Sequence, residues 1–219
     1  MRIPFSVATF KKIVSLTDMV EYCRNDIDPI CIIGNKFFIS KGVTLFIFNL
    51  YGEGSFTYSI NTETFNKLKK VLKDDSLIEI TEKGILVGSE LIEKNPKTNT
   101  FLFDFIKSHK NIVDSTDCIP YGFELKKSKY LKCYAVKMTP SNIEYYTNDK
   151  SLGSIPKLEF SQPILCDDDF ESICFEYNRL KKFSEISKNF KCEMYLKPKN
   201  HYLAFKNNDI FGLLYEFRI

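Results

Sequence analysis

Apolar positions between residues 171 and 219 change their spacing in a way that defines one structural unit. Residues 175–188 carry Leu180, Phe183 and Ile186 at helical spacing, with Arg179, Lys181, Lys182 and Lys188 on the other faces. Three short runs rich in aromatic and branched side chains follow, at 190–196, 202–205 and 211–219. The clusters Lys-Pro-Lys-Asn and Lys-Asn-Asn-Asp separate them and suit turns. The pattern predicts a strand, a short basic helix and three strands. Because the sequence ends on Phe217, Arg218 and Ile219, the last strand is expected to be structural to its end; a frayed tail is polar.

An earlier stretch repeats this pattern. Residues 65–70, Phe-Asn-Lys-Leu-Lys-Lys, match residues 177–182, Tyr-Asn-Arg-Leu-Lys-Lys, in kind at every position. Apolar runs at 77–80 and 84–87 follow the first copy as strands follow the second. A fainter echo joins Ile3, Pro4 and Phe5, with Lys11 and Lys12, to Ile119, Pro120 and Tyr121, with Lys126 and Lys127. Two such copies in 219 residues predict an internal duplication.

The remaining pattern fills in both halves. Strands are expected at 2–6, 30–33, 36–40, 43–50 and 55–60, with tight hairpin turns at Gly34-Asn35 and Lys41-Gly42. A first helix over 7–22 turns Phe10, Ile13, Val14, Leu16 and Val20 inward. Asn61 or Thr62 caps a second helix over 63–73, and a strand at 100–107 completes the first half. The polar stretch 108–118 reads as a linker. Beyond it come a strand near Ile119, a short helix over 124–133, and strands at 134–138, 143–147 and 158–164. The expected fold is α+β: two similar domains, 1–107 and 119–219, joined by a connector at 108–118. Each would set two helices on one face of antiparallel sheets.

Composition narrows the function. A hydrophobic content of 44% with 27% charged residues is that of a soluble globular chain, and 20 Phe and 12 Tyr with no Trp suit strand-rich cores. No signal-peptide core or membrane-length apolar run is present, so an intracellular protein without membrane contact is expected. The 7 cysteines form no CxxC pair, and 2 histidines complete no zinc spacing, so buried thiols in a reducing compartment are the expectation. No glycine-rich phosphate loop, paired histidine or nucleophile elbow appears, and Asp167-Asp168-Asp169 reads as a solvated loop. The reading is therefore of a non-enzyme with no cofactor and no metal.

Net charge is only +3, but every expected helix bears lysine and none is acidic. A protein that follows DNA without reading sequence needs mobile cations at phosphate distance and no base-edge donors in fixed register. Lys11, Lys12, Lys67, Lys70, Lys73, Lys126, Lys127, Arg179, Lys182 and Lys188 are the candidates. The alternative is that they form ordinary solvated helix faces.

A lysine-bearing helix followed by three strands, closing on Leu214-Tyr-Glu-Phe-Arg-Ile219, resembles the C-terminal end of the sliding-clamp polymerase processivity factors of the proliferating cell nuclear antigen type. The order of elements resembles that family along the whole chain. The departures are a shortened third helix, a near-neutral charge where such clamps are usually acidic, and Phe217 where the family often has proline. The resemblance implies a ring, most simply a homotrimer of six domains, that encircles duplex DNA and tethers a DNA polymerase at the site of replication. A clamp loader is a further implied partner, and the small Lys/Asn/Ile/Phe-rich chain suggests a virus or phage. A clamp-fold protein that no longer encircles DNA, serving as a monomeric processivity subunit or a transcription-factor scaffold, is the alternative. The resemblance also implies a pocket for clamp-binding peptides formed by Val43, Ile112, Val113, Ile119, Tyr215, Phe217 and Ile219. Ile112 and Val113 have a second reading, as apolar pins that hold the linker to the core.

Overall fold

Runs of alternating or continuous apolar residues, broken by glycine and asparagine, settle into antiparallel ladders, while apolar residues at helical spacing settle onto them. A computed structural model describes residues 1–3, 5–17, 28–41, 44–73, 76–97, 119–125, 133–149, 155–164, 166 and 168–216. The class is α+β with antiparallel sheets. The chain forms two compact units, one of Met1–Thr116 with Lys206–Gly212, the other of Asp117–Phe205 with Leu213–Ile219.

In the first unit, helix α1 (Val7–Thr17) precedes strands β1 (Ile30–Gly34), β2 (Lys36–Lys41), β3 (Thr44–Asn49) and β4 (Phe56–Ile60). Their order is β4-β1-β2-β3, the Greek key in which the fourth strand returns beside the first. Gly34 opens the β1–β2 turn at φ +62°, which a two-residue hairpin requires of its first position. Strand β2 is buried on both faces. Phe37 meets Phe10 of α1 edge-on at 5.9 Å, while Phe38 joins Cys31, Ile33 and Ile47 in a separate cluster. A continuous apolar run is the signature of such a doubly covered strand.

Helix α2 (Thr62–Val71) follows, capped by Asn61, whose side-chain oxygen accepts from the Thr64 N–H at 2.9 Å. Phe65 and Leu68 form its buried stripe. Strands β5 (Ile78–Thr81), β6 (Gly84–Val87) and β7 (Glu90–Glu93) then make an antiparallel meander. The segment Lys206–Gly212 also belongs to this unit. There the Asn49 N–H donates to the Asp209 carbonyl at 3.0 Å, and the Asn49 side chain donates to the Asn208 carbonyl.

The second unit repeats this order. Strands β8 (Ile119–Pro120), β9 (Cys133–Met138), β10 (Asn142–Asp149), β11 (Ile155–Pro163) and β12 (Ile173–Glu176) lead into helix α3 (Tyr177–Asn189). Its four-stranded sheet runs β12-β9-β10-β11, the same Greek key. Strands β13 (Glu193–Lys197), β14 (Tyr202–Lys206) and β15 (Ile210–Tyr215) follow, with β15 crossing from the first unit's segment into the second. Helix α3 packs on β9 and β12, and Phe183 meets Phe205 of β14 at 4.7 Å. The short match noted in the sequence also holds at the edges of the units: Ile119 and Pro120 pair with the first strand after α3, as Arg2 bridges to Glu79 in the first strand after α2.

Several expectations change. Arg2, Ile3, Phe5 and Ser6 are in no strand: Arg2 makes only isolated bridges, to Tyr51 and Glu79. The matched hexapeptides are out of step at their starts. Tyr177 opens α3 directly from a strand, whereas Phe65 is preceded by the capped polar turn from Thr62. Leu68 and Leu180 nevertheless share full burial. Strand β7 went unforeseen because its Glu-Leu-Ile-Glu run is short and half acidic. Cys133 begins a strand instead of ending a helix. Glu124 and Leu125, its expected start, are in no helix. Residues 126–132 of that expected helix, the expected strand at 100–107 and the linker at 108–118 lie outside the described residues.

Gly84 shows how tightly the meander closes. At φ +149° its missing Cβ would lie 2.1 Å from the Ile92 carbonyl oxygen. Gly84→Ala is expected to cost about 2–3 kcal/mol in urea unfolding. Gly88→Ala, where φ is +62° and the Cβ would enter open space, should cost only about 1 kcal/mol. Equal losses would show that steric closure at Gly84 does not govern this hairpin.

Candidate nucleic-acid interface

Each helix buries one stripe and leaves the opposite face to water, and that division determines which cations are available. In α1, Val7, Phe10, Ile13 and Val14 are buried, Lys11 is half-buried and Lys12 is exposed. In α2, Lys67 pairs with Glu63 at 3.0 Å, one turn away. Lys70 and, just past the helix end, Lys73 are exposed, while the Lys69 ammonium lies over the Phe65 ring at 5.3 Å from its centre. In α3, Lys181 and Lys188 are exposed and Lys182 is half-buried. Lys188 reaches Glu124 at 3.3 Å.

Arg179 differs most from its sequence placement. Its side chain is 13% exposed, and Nε lies 2.8 Å from Glu176. It sits in the first turn of α3 beside a strand-end glutamate, so its charge is already compensated. Among the described residues no ion pair holds Lys12, Lys70, Lys73 or Lys181, which are the freest cations of the three helices. Such cations exchange phosphate contacts readily, being hydrated point charges on flexible stems. Lys126 and Lys127 lie outside the described residues.

Of the proposed peptide pocket, two members are described. Ile119 is half-buried and pairs with Leu196. Tyr215 is half-buried against Tyr202 at 5.9 Å, edge to face, and burial raises its hydroxyl pKa. Val43, Ile112, Val113, Phe217 and Ile219 fall outside the described residues. The second unit also holds a groove of about 530 Å³, walled by Pro120–Phe123 on one side and Cys192–Tyr195 on the other, with Lys188 at its rim. No single stretch of sequence marks it, because its two walls lie far apart in the chain.

The chemistry of the remaining groups is quiet. Burial pushes the thiols of Cys31 and Cys174 up to about 12 and that of Cys133 to about 11. Among the described residues no cluster of histidine, cysteine, aspartate or glutamate is arranged to hold a metal, and no helix is long and apolar enough to cross a membrane.

No family model and no curated protein matches the chain. Solved structures do. The DNA polymerase III β subunit of Borrelia burgdorferi superposes with a TM-score of 0.59 at 12% identity, over 98% of this chain and 63% of its own. The C. crescentus β sliding clamp gives 0.56 at 9% identity, over 100% and 65%. The fold is that of the DNA sliding clamps. The Pseudomonas aeruginosa DNA polymerase sliding clamp agrees, with a TM-score of 0.55 at 9% identity over 98% and 66%. At these identities the likeness is one of fold. The chain spans slightly under two thirds of the length of these clamps.

The buried thiols give a direct check on the packing. At pH 8 a thiol reagent should modify Cys166 and Cys192, which are partly exposed, at least about tenfold faster than Cys31, Cys133 and Cys174, because only the thiolate reacts. Uniform rates in the folded protein, read by mass spectrometry of labelled peptides, would contradict the burial described.

Proposed function

We propose that the protein is a sliding-clamp subunit: it assembles into a ring that encircles duplex DNA without sequence preference and tethers a DNA polymerase. The observation that carries this reading is the repeated Greek key, helix and meander, with an exposed lysine face on the helix of each copy, in a chain of clamp fold. The role is one of topology and tethering, with no catalytic step. A homotrimer, a clamp loader as partner and an intracellular location at the site of replication belong to the same proposal, as do the domain limits 1–107, 108–118 and 119–219.

Edge strands support the assembly. Among the described strands, β11 and β7 each stand at the end of a sheet with one side open. In the first unit, by contrast, the strand equivalent to β11, namely β3, meets the segment Lys206–Gly212. Leu158 on β11 is 49% exposed and Leu91 on β7 is 38% exposed. Pairing β11 of one copy with β7 of the next would satisfy open backbone groups and cover both leucines, in a head-to-tail contact that closes into a ring. Light scattering should show a trimer at micromolar concentration, and Leu158→Lys should shift it to monomer. A parent protein that stays monomeric would favour the non-encircling reading.

Affinity for short linear duplex should be weak and fall with salt, with a log–log slope of roughly −0.9 per phosphate neutralised. Replacing Lys11, Lys70 and Lys182 together by alanine should flatten that slope and lower processivity, with stability changed by no more than about 0.5 kcal/mol. Processive synthesis at the parent level by the triple variant would refute the assignment. Phe217→Ala and Ile112→Ala should weaken polymerase binding while the fold persists, since a few apolar anchors dominate such sites.

A further inference from the structure

The ladders behind the two open edges determine which residues have backbone groups to offer there. In the meander the Lys94 N–H donates to the Lys83 carbonyl at 3.0 Å, just beyond the Gly84–Glu93 pair. Bonded and non-bonded pairs alternate along an antiparallel ladder, so Leu86 and Leu91 form a non-bonded pair. The N–H and C=O of Leu91 therefore point outward at the free side of β7. In the second unit the Thr139 N–H donates to the Asn142 carbonyl at 2.9 Å, and β10 pairs with β9 without a break from Ile143 to Tyr146. The same alternation spends the backbone groups of Tyr146 on Ala135 of β9. Its partner on the other side, Leu158, is left in a non-bonded pair, so the N–H and C=O of Leu158 point outward from β11.

The two side chains lie on matching faces. Ile92, next to Leu91, is buried in the core of its unit, and Tyr145, next to Tyr146, is fully buried in the other. Leu91 and Leu158 are thus on the sheet faces turned away from those cores. Leu91 adjoins half-buried Leu86, which is opposite Glu79, and Arg2 holds Glu79 at 3.2 Å. Leu158 adjoins half-buried Tyr146.

We infer that the two edges join a second copy of the chain antiparallel, in the register that sets Leu91 of one copy directly opposite Leu158 of the next. The inference rests on the clamp reading and specifies the direction and register of its subunit contact. Two residues whose backbone groups both point outward can exchange a pair of N–H···O=C bonds, with side chains on one face, only in an antiparallel arrangement. The joined sheet then carries an apolar row of Leu86, Leu91, Leu158 and Tyr146 across the boundary. A slip of one residue puts the leucines on opposite faces, and a slip of two puts Glu93 or Ser89 opposite Leu158. The ladder is short. Pro156, two residues from Leu158, has no N–H to extend it, and on the other side Glu90 comes opposite Glu159.

The test mixes Leu91→Cys and Leu158→Cys forms of the full chain under oxidation and identifies linked peptides by mass spectrometry. Positions 91 and 158 should link between chains at least about tenfold more than positions 93 and 158, supplied by Glu93→Cys and Leu158→Cys. Glu90→Lys should tighten assembly about fivefold per contact in light scattering, because attraction to Glu159 replaces repulsion. Adding Glu159→Lys should cancel that gain. A preferred link at another register, or a Glu90→Lys gain that Glu159→Lys leaves intact, would overturn the inference. If the cysteine forms do not assemble, the charge pair decides alone. Assembly of the parent with a different register removes this inference and leaves the ring. A 91–158 link in an assembly that does not bind duplex removes the clamp reading and leaves the contact, whereas a parent that stays monomeric removes both.

Discussion

The packing of one aromatic residue from each of two helices against a strand governs what the rest of the molecule can present. Phe10 against Phe37 in the first unit, and Phe183 against Phe205 in the second, hold α1 and α3 in rotation about their own axes. Once that rotation is set, the lysines on the far side are committed to solvent and the residues beside the contact are committed to burial. Truncating an aromatic of this kind typically removes about 3–5 kcal/mol, a large part of a domain's stability. Exposed lysines contribute almost nothing to folding, so packing alone does not fix their number or placement.

Backbone pairing is the second constraint. A Greek key leaves its third strand at an edge, and the two units resolve that edge differently. In the first, β3 meets chain that arrives from positions 206–212; in the second, β11 remains open among the described strands and carries an exposed leucine. The same local topology thus yields a satisfied edge in one copy and an open one in the other. Within the first unit a buried carboxylate adds a polar tie. Asp28 accepts from Ser59 and, at 3.0 Å, from the Asn95 side chain, joining the entry to β1, strand β4 and the segment after β7. A buried carboxylate held by two donors is well compensated.

Charge acts residue by residue. With 31 basic and 28 acidic residues, overall composition is almost silent about DNA. The distribution is informative because ion pairs remove some cations from use. Lys67, Lys188 and Arg179 each have a glutamate within 3.3 Å, and Lys12, Lys70, Lys73 and Lys181 stand outside those pairs. A surface pair of this type can be exchanged for a phosphate at small cost, whereas Arg179, largely buried beside Glu176, is tied to its own helix start.

Local periodicity was legible without the fold. Strands β1 to β6, the cap at Asn61, the helix after β12 and the repeat of helix and meander all follow from short-range chemistry, because apolar spacing and turn residues act over a few positions. Strand β7 escaped notice, since four residues with two glutamates become a strand only when β6 offers a ladder. The exposure of individual cations was equally hidden: Arg179 and Lys181 are near neighbours of one helix, and only the packing of α3 on β9 and β12 separates a buried charge from a free one. Lys197 is the sharpest case. Its sequence, Leu-Lys-Pro-Lys-Asn, reads as a solvated turn, yet the residue is 3% exposed and its ammonium lies over the Tyr202 ring of the next strand. The sequence by itself determined the elements and their repetition, whose causes are local. Which edges stay open and which charges are buried was decided by tertiary structure, because those properties belong to pairs of residues far apart in the chain.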